Sequence, residues 1–256
     1  MQARADQGRL YERVAADISA RIASGDFPVG RRLPSERDLA HIHSVSRPTV
    51  REAIIALELD GLVEVRTGSG VHVVARHPKG GKAGATDVGP FELLEARHGF
   101  ESEACALAAV RITDDQLDEL ERLALEMEPG DARDFGRAED ADRRFHLLIA
   151  AASQNSVVLS TVAGLWEARA RSPQYQLFAD KAHAAGVGPR IDEHREIIAA
   201  LRTRLPETAR RAMRQHLARV LESLLAATEV EEGERARARV AAARQRYATV
   251  ADQRSA

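Results

Sequence analysis

The spacing of apolar residues divides the chain into distinct stretches. Leu10, Val14, Ile18 and Ile22 recur every fourth residue, one face of an amphipathic helix that Gly25 stops. Leu33 to Ala40 reads as a short helix with Ser35 at its N-cap, and His41 to Val45 as a brief turn. Arg47 to Asp60 reads as a second helix, capped by Ser46, with Pro48 in its first turn and Val50, Ile54, Leu57 and Leu59 facing inward. Val63, Val65, Val71 and Val73 then alternate around Gly68-Ser69-Gly70, the period-two pattern of a short β-hairpin.

Arg76 to Pro90 (RHPKGGKAGATDVGP) carries no apolar period and reads as an interdomain linker. Beyond it every pattern is helical. Phe91, Leu94, Ala104 and Leu107 mark one helix, and Thr113 to Gln116 form a capping box before Leu117, Leu120, Leu123 and Met127. Asp131 to Ala152, a helix capped by Asn155 and carrying Val158, Val162 and Trp166, Pro173 to Ala185, Pro189 to Arg204 and Pro206 to Thr228 complete the set. The expected fold is mainly α: an N-terminal winged helix-turn-helix domain (residues 8–75), a linker (76–89) and an all-α antiparallel bundle of six or seven helices (90–228). Residues 229–256, rich in Ala, Arg and Glu, read as a frayed helix or disordered tail.

Composition narrows the function. At 256 residues the chain is long enough for two domains, and 44% hydrophobic with 30% charged residues is a globular mixture. The 37 basic and 39 acidic residues give a net charge of -2, so no bulk positive field exists and non-specific nucleoid packing is disfavoured. The lone Cys105 excludes an internal disulfide and a multi-cysteine zinc site. No apolar run reaches the ~18 residues that span a membrane, and the N-terminus lacks the apolar core of a secretory signal, so a cytoplasmic protein is expected.

Charge is focused locally. Arg31, Arg32, Arg37, Arg47 and Arg51 stand against only Glu36 and Asp38 between positions 31 and 51, which suits docking on phosphates. Arg47 and Arg51 are i,i+4 neighbours read as one exposed face, each able to grip guanine or phosphate, with Thr49 between them. The hairpin tip Thr67-Gly68-Ser69-Gly70 has no bulk to keep its backbone from a minor groove.

A second constellation lies in the helical region. Asp142 and His146 share a helix face flanked by Phe145 and Ile149, His194 shares a stripe with Ile197, Ile198 and Leu201, and His216 lies between Met213 and Val220. His194 is eleven residues before Leu205 and His216 eleven after it, which puts both at one height of a helical hairpin, roughly 16 Å from its turn. Taken singly each histidine could be packing; together Asp142, His146, His194 and His216 suit one divalent ion, zinc first, with manganese or nickel as alternatives and room for a carboxylate ligand.

The N-terminal stretch resembles the GntR family of bacterial transcription regulators. The match runs through Gly30-Arg31-Arg32-Leu33-Pro34-Ser35-Glu36-Arg37-Asp38-Leu39-Ala40, Val45-Ser46-Arg47-Pro48-Thr49-Val50-Arg51-Glu52-Ala53, Gly61-Leu62-Val63 and Gly68-Ser69-Gly70; Ser44 stands where the family pattern has glycine. The resemblance implies a winged helix in which Arg37, Arg47 and Arg51 contact DNA, Ser46 and Thr49 hold phosphates or bases, and Gly68 lies in the wing. Residues 90–228 resemble the FCD ligand-binding domain of the FadR-type subgroup, through Leu94-Glu95-Ala96-Arg97, Glu101, Asp142-Arg143-Arg144-Phe145-His146, Asn155, His194 and His216. This implies a metal held by the Asp and three His, an effector carboxylate on that metal, and Arg97 facing the cavity.

These readings converge on a homodimeric regulator, expected to be a repressor, that binds a two-fold operator in double-stranded DNA under control of a small carboxylate. Trp166 and Arg169, on one helix turn, offer an indole face and a guanidinium suited to a hydroxylated acid, and the segments around Arg97 and Trp166 are similar to those of hexuronate-utilisation regulators. A short hydroxy or keto acid, or a dicarboxylate, is the alternative effector. A metal-dependent hydrolase is the remote alternative: it needs a general base beside the metal, no H-E-x-x-H motif occurs, and Cys105 sits in an Ala-rich helix as a packed thiol.

Overall fold

In the computed structural model the described residues are 9–66, 69–78, 88–128, 135–184 and 186–228. They fall into two compact units that divide between Lys82 and Ala83. The tail at 229–256, most of the linker (79–87), the hairpin residues Thr67 and Gly68, and the start of the helix expected from Asp131 lie outside them.

The N-terminal unit contains α1 (Leu10–Ser24), α2 (Glu36–His43), α3 (Arg47–Leu59) and the antiparallel pair β1 (Val63–Arg66) and β2 (Gly70–Val73), in the register Val63 opposite Val73. The four-residue stripe of α1 is buried as its period predicts, and Ile18, Leu39, Val50, Ile54, Leu57 and Val73 close one core between helices and hairpin. Ser35 and Ser46 each accept the N–H three residues on, as N-caps. Helix α2 runs three residues past Ala40 and stops at Ser44, which adopts φ +53°, the left-handed conformation a glycine would take more cheaply. Gly70 opens β2 at φ +90°, a conformation in which any side chain would be strained, which favours glycine there.

The C-terminal unit contains α4 (Pro90–Ala109), α5 (Asp114–Glu126), α6 (Phe135–Ala152), α7 (Ser156–Arg171), α8 (Pro173–Ala184), α9 (Ile191–Arg202) and α10 (Pro206–Thr228). Helix α4 is the axis, packed along α10, α7 and α6, while α5 bridges α6 and α9. Phe145, Leu120, Leu123, Ile197, Leu201 and Met213 fill the main core; burying a side chain such as Phe145 contributes about 1.5–3 kcal/mol. Helix α9 begins at Ile191 with Arg190 as its N-cap, so Pro189 precedes the helix instead of opening it. At the α7–α8 junction the buried Ser172 hydroxyl donates to the Val88 carbonyl at 3.0 Å, just before α4. No helix among the described residues is long and apolar enough to cross a membrane.

Candidate functional site

In the N-terminal unit, Arg37, Ser46 and Arg47 are exposed and Thr49 is half-buried. The Ser46 hydroxyl accepts the Thr49 N–H at 3.3 Å and lies 2.8 Å from the Thr49 hydroxyl, so both are fixed at the start of α3 beside Arg47. Arg51 departs from the expected exposed face. Its side chain is 4% exposed, and its guanidinium donates from Nε to Glu36 Oε1 at 3.0 Å and from Nη2 to Glu36 Oε2 at 2.6 Å. The i,i+4 spacing aligns Arg51 with Arg47, but the first turn of α2 covers the second half of that stripe, and a buried guanidinium requires a carboxylate there.

In the C-terminal unit, α6, α9 and α10 bring Asp142, His146, His194 and His216 together. One ligand-type atom from each of these four buried residues lies within 4.8 Å of every other. The His194 and His216 rings are 4.6 Å apart, consistent with the equal-height reading of the hairpin. His194 Nδ1 lies 2.8 Å from the Arg190 carbonyl and its Nε2 is 2.9 Å from Asp142 Oδ1. Both neighbours are oxygen acceptors, so a neutral ring, with one N–H, donates to only one of them. His146 is placed similarly: Nδ1 is 2.5 Å from Glu101 Oε2 and Nε2 is 3.4 Å from Asp142 Oδ1, neither in hydrogen-bonding alignment. His216 Nδ1 donates to Glu193 Oε2 at 3.1 Å, leaving Nε2 with its lone pair.

Thus each histidine uses Nδ1 against an oxygen outside the cluster, from Glu101, Arg190 or Glu193, which is how metal-ligating imidazoles are oriented. Burial pushes His216 down to about 4, so it is a neutral ligand near pH 7. Burial opposes ionisation of Asp142, but the facing rings of His146 and His194 outweigh it and hold the carboxyl well below its usual range. An orphaned His146 Nε2 and a carboxylate facing histidine nitrogens fit a divalent first-row cation.

A cleft enclosing about 640 Å³, part of it open solvent, adjoins the cluster. Asp142, His194 and His216 form its floor, with Arg97 and Arg169 beside them. Arg97 is 2% exposed, donates from Nε to Glu101 Oε1 at 2.7 Å, and leaves its buried Nη2 without a hydrogen-bond partner. Burial opposes ionisation of Glu101 too, yet Arg97 and His146 hold its carboxyl at about 2. Arg169 pairs with Glu139 at 2.6 Å and lies 3.6 Å from Asp142 Oδ2. Trp166 departs from its expected place: it does not line the cleft, and its buried ring carries the guanidinium carbons of Arg97 at 4.1 Å and Arg169 at 4.7 Å. An indole on the inward stripe of α7, packed on Ala104 and Ala150, has no room to turn outward.

The pattern along the chain gives little sign of several other residues of the site. Glu193 sits one residue before His194, off its stripe, and reaches His216 only because α9 and α10 are antiparallel neighbours. Glu101 is legible as the i+4 partner of Arg97 but not as the neighbour of His146. His183, expected at the surface or in packing, stands in the cleft wall 3.5 Å from Glu139.

The chain thus joins a small helix-turn-helix unit with a hairpin to an all-helical unit that carries the Asp/His cluster. Residues 10–73 match the bacterial regulatory proteins of the gntR family, and residues 92–219 match the FCD domain. The chain is 38% identical over 214 residues to the Exu regulon transcriptional regulator of Escherichia coli K12, covering 82% of each chain. It is 35% identical over 232 residues to the Uxu operon transcriptional regulator of the same organism, covering 88% of this chain and 90% of that one. A solved GntR structure from Streptococcus agalactiae is 30% identical over 82% of this chain and 98% of that one, with a TM-score of 0.41. The chain belongs to the GntR family of bacterial regulatory proteins and carries an FCD domain. It is a transcriptional regulator and not an enzyme, which sets the hydrolase alternative aside.

Proposed function

We propose that this regulator senses a small carboxylate through a metal ion and transmits the signal to an operator. In this reading residues 8–75 are the DNA-binding domain, 76–89 the linker, 90–228 the sensing domain and 229–256 a tail. Arg37, Ser46, Arg47 and Thr49 meet the duplex directly, with Thr67 and Gly68 at the wing, while Arg51 supports the recognition helix through Glu36. Asp142, His146, His194 and His216 hold one divalent ion per chain, zinc by the character of its donors, with manganese or nickel also accommodated. When bound, the ion supplies a Lewis-acidic position for one effector oxygen. Arg97 and Arg169 then take the remaining carboxylate charge.

The observation that carries this reading is the convergence of four buried ligand atoms within 4.8 Å, with three of the four residues, Asp142, His194 and His216, lining a cleft that Arg97 also lines. Glu139, His183 and Ser223 in the cleft suit a hydroxylated acid, and similarity to the Exu and Uxu regulators supports a hexuronate. The regulator acts as a cytoplasmic homodimer that represses from a two-fold operator, and effector binding changes the spacing of its two DNA-reading helices.

The test is a thermal-shift screen of the full chain with glucuronate, galacturonate, lactate and dicarboxylates, each with and without a chelator. A uronate should raise the melting temperature only when zinc is present, and the same uronate should weaken operator binding in a gel shift. Clear stabilisation by lactate or a dicarboxylate, with none by any uronate, overturns the effector class. Stabilisation that survives chelation overturns the role of the metal.

A further inference from the structure

The two cleft arginines do not stand alone. Arg97 comes from α4 and Arg169 from α7, and the guanidinium of each lies within 4.7 Å of the centre of one indole ring, that of Trp166. The ring is 2% exposed and outside the cleft lining, so it cannot touch a ligand there. Like charges held near one another repel, and each long side chain has rotamer freedom that must be lost to hold it still. The negative face of an aromatic ring offsets both effects by attracting each guanidinium to a fixed plane. Carboxylates complete the arrangement on the far sides: Glu101 fixes the Nε edge of Arg97, and Glu139 fixes one Nη of Arg169. Both arginines line the cleft; the buried Nη2 of Arg97 has no hydrogen-bond partner, and Nη1 of Arg169 stands 3.6 Å from Asp142 Oδ2.

We infer that Trp166 is a positioning residue for anion recognition: it never contacts the effector, but it sets Arg97 and Arg169 as a pre-organised pair that receives the effector's carboxylate. This rests on the reading of the cleft as an effector site and assigns the indole a role in affinity beyond its packing against the His146 ring, 5.4 Å away. A guanidinium held in advance needs no ordering when the anion arrives, so loss of the ring weakens the anion more than the ion.

The experiment compares wild type, W166F and W166L in zinc-loaded full-length protein, all checked for helical content and melting temperature. Two readouts are taken: galacturonate and glucuronate affinity by calorimetry, and the arginine Nε–H signals in arginine-labelled NMR spectra, assigned with R97K and R169K. The expected result is about a tenfold loss of uronate affinity in W166L and less than threefold in W166F, with zinc affinity from chelator competition changed less than uronate affinity in W166L, where the packing on His146 is also lost, and unchanged in W166F. The ring-shifted Nε–H signal of Arg97 should persist in W166F and collapse to the ordinary position in W166L, while that of Arg169, which also lies 4.8 Å from the centre of the Tyr175 ring, should move toward it only in part. Wild-type uronate affinity in a folded W166L, or unshifted arginine signals in the wild type, overturns the inference. If no uronate binds the wild type while the NMR behaviour is as expected, the effector assignment fails and the positioning role stands; W166F serves if W166L does not fold.

Discussion

Arg51 of the recognition helix closes a two-point fork on Glu36 of the preceding helix, with Nη2 to Oε2 at 2.6 Å and the arginine side chain only 4% exposed. The pair ties the first turn of α2 to α3 one helical turn beyond Arg47.

Arg47 and Arg51 therefore respond differently to removal. Arg47→Ala should weaken operator binding by about 1–3 kcal/mol with no change in the urea midpoint. Arg51→Ala should lower stability by about 2 kcal/mol, because Glu36 is left partly buried without its partner. Glu36→Gln should lower stability in the same direction by less. Equal urea midpoints for wild type and Arg51→Ala would refute the structural role.

The outer carboxylates of the metal cluster are open to the same approach. His194→Ala should abolish binding of one zinc per chain and lower the melting temperature of zinc-loaded protein, since the ion stabilises only the folded state. Glu193→Gln, which leaves every ligand in place but weakens the acceptor for His216 Nδ1, should reduce zinc affinity about 10–100-fold. Chelator competition followed by elemental analysis measures both.

Ser44 ends α2 in a conformation that disfavours any side chain. Ser44→Gly should raise stability by up to about 1 kcal/mol in urea unfolding, the relief of left-handed strain being partly offset by the freer unfolded chain. A lower midpoint in Ser44→Gly would show that the serine side chain contributes more than its backbone strain costs.

Burial pushes the Cys105 thiol far above its usual range, reinforced by the nearby Glu101 charge. At pH 8 the folded protein should resist iodoacetamide and become labelled at this position only in denaturant, as mass spectrometry would show. Fast labelling under native conditions would contradict the packing of α4.

Constant helix geometry is what makes much of the sensor legible in the amino-acid sequence. The rise per residue is the same on both sides of Pro206, so equal counts from Leu205 to His194 and His216 are enough to bring those rings together. The caps Ser35, Ser46, Thr113 and Asn155 are equally plain, since each needs only its own side chain and the next three backbone amides. The misplaced residues share one cause. Periodicity tells which residues share a face, not what covers it, so Arg51 reads as open when it is buried against Glu36, and nothing in the spacing around Trp166 tells that its ring is buried beneath two guanidinium groups. Glu193 is hidden for the converse reason: its partner, His216, is on another helix, and no spacing within α9 encodes that.

Glu101 stands at the centre of the sensor with one oxygen on Arg97 and the other against His146. A single buried carboxylate is thus shared by the group that would grip the effector and a group that would grip the ion. Adding a cation on one side changes how strongly Glu101 holds the arginine on the other, and an anion at Arg97 changes what the histidine experiences. The two bindings are then thermodynamically reciprocal: whatever factor the ion contributes to effector affinity, the effector returns to ion affinity. With an ion and an acid bound as proposed, the regulator would act as a coincidence detector, its response to a given acid graded by the free metal around it.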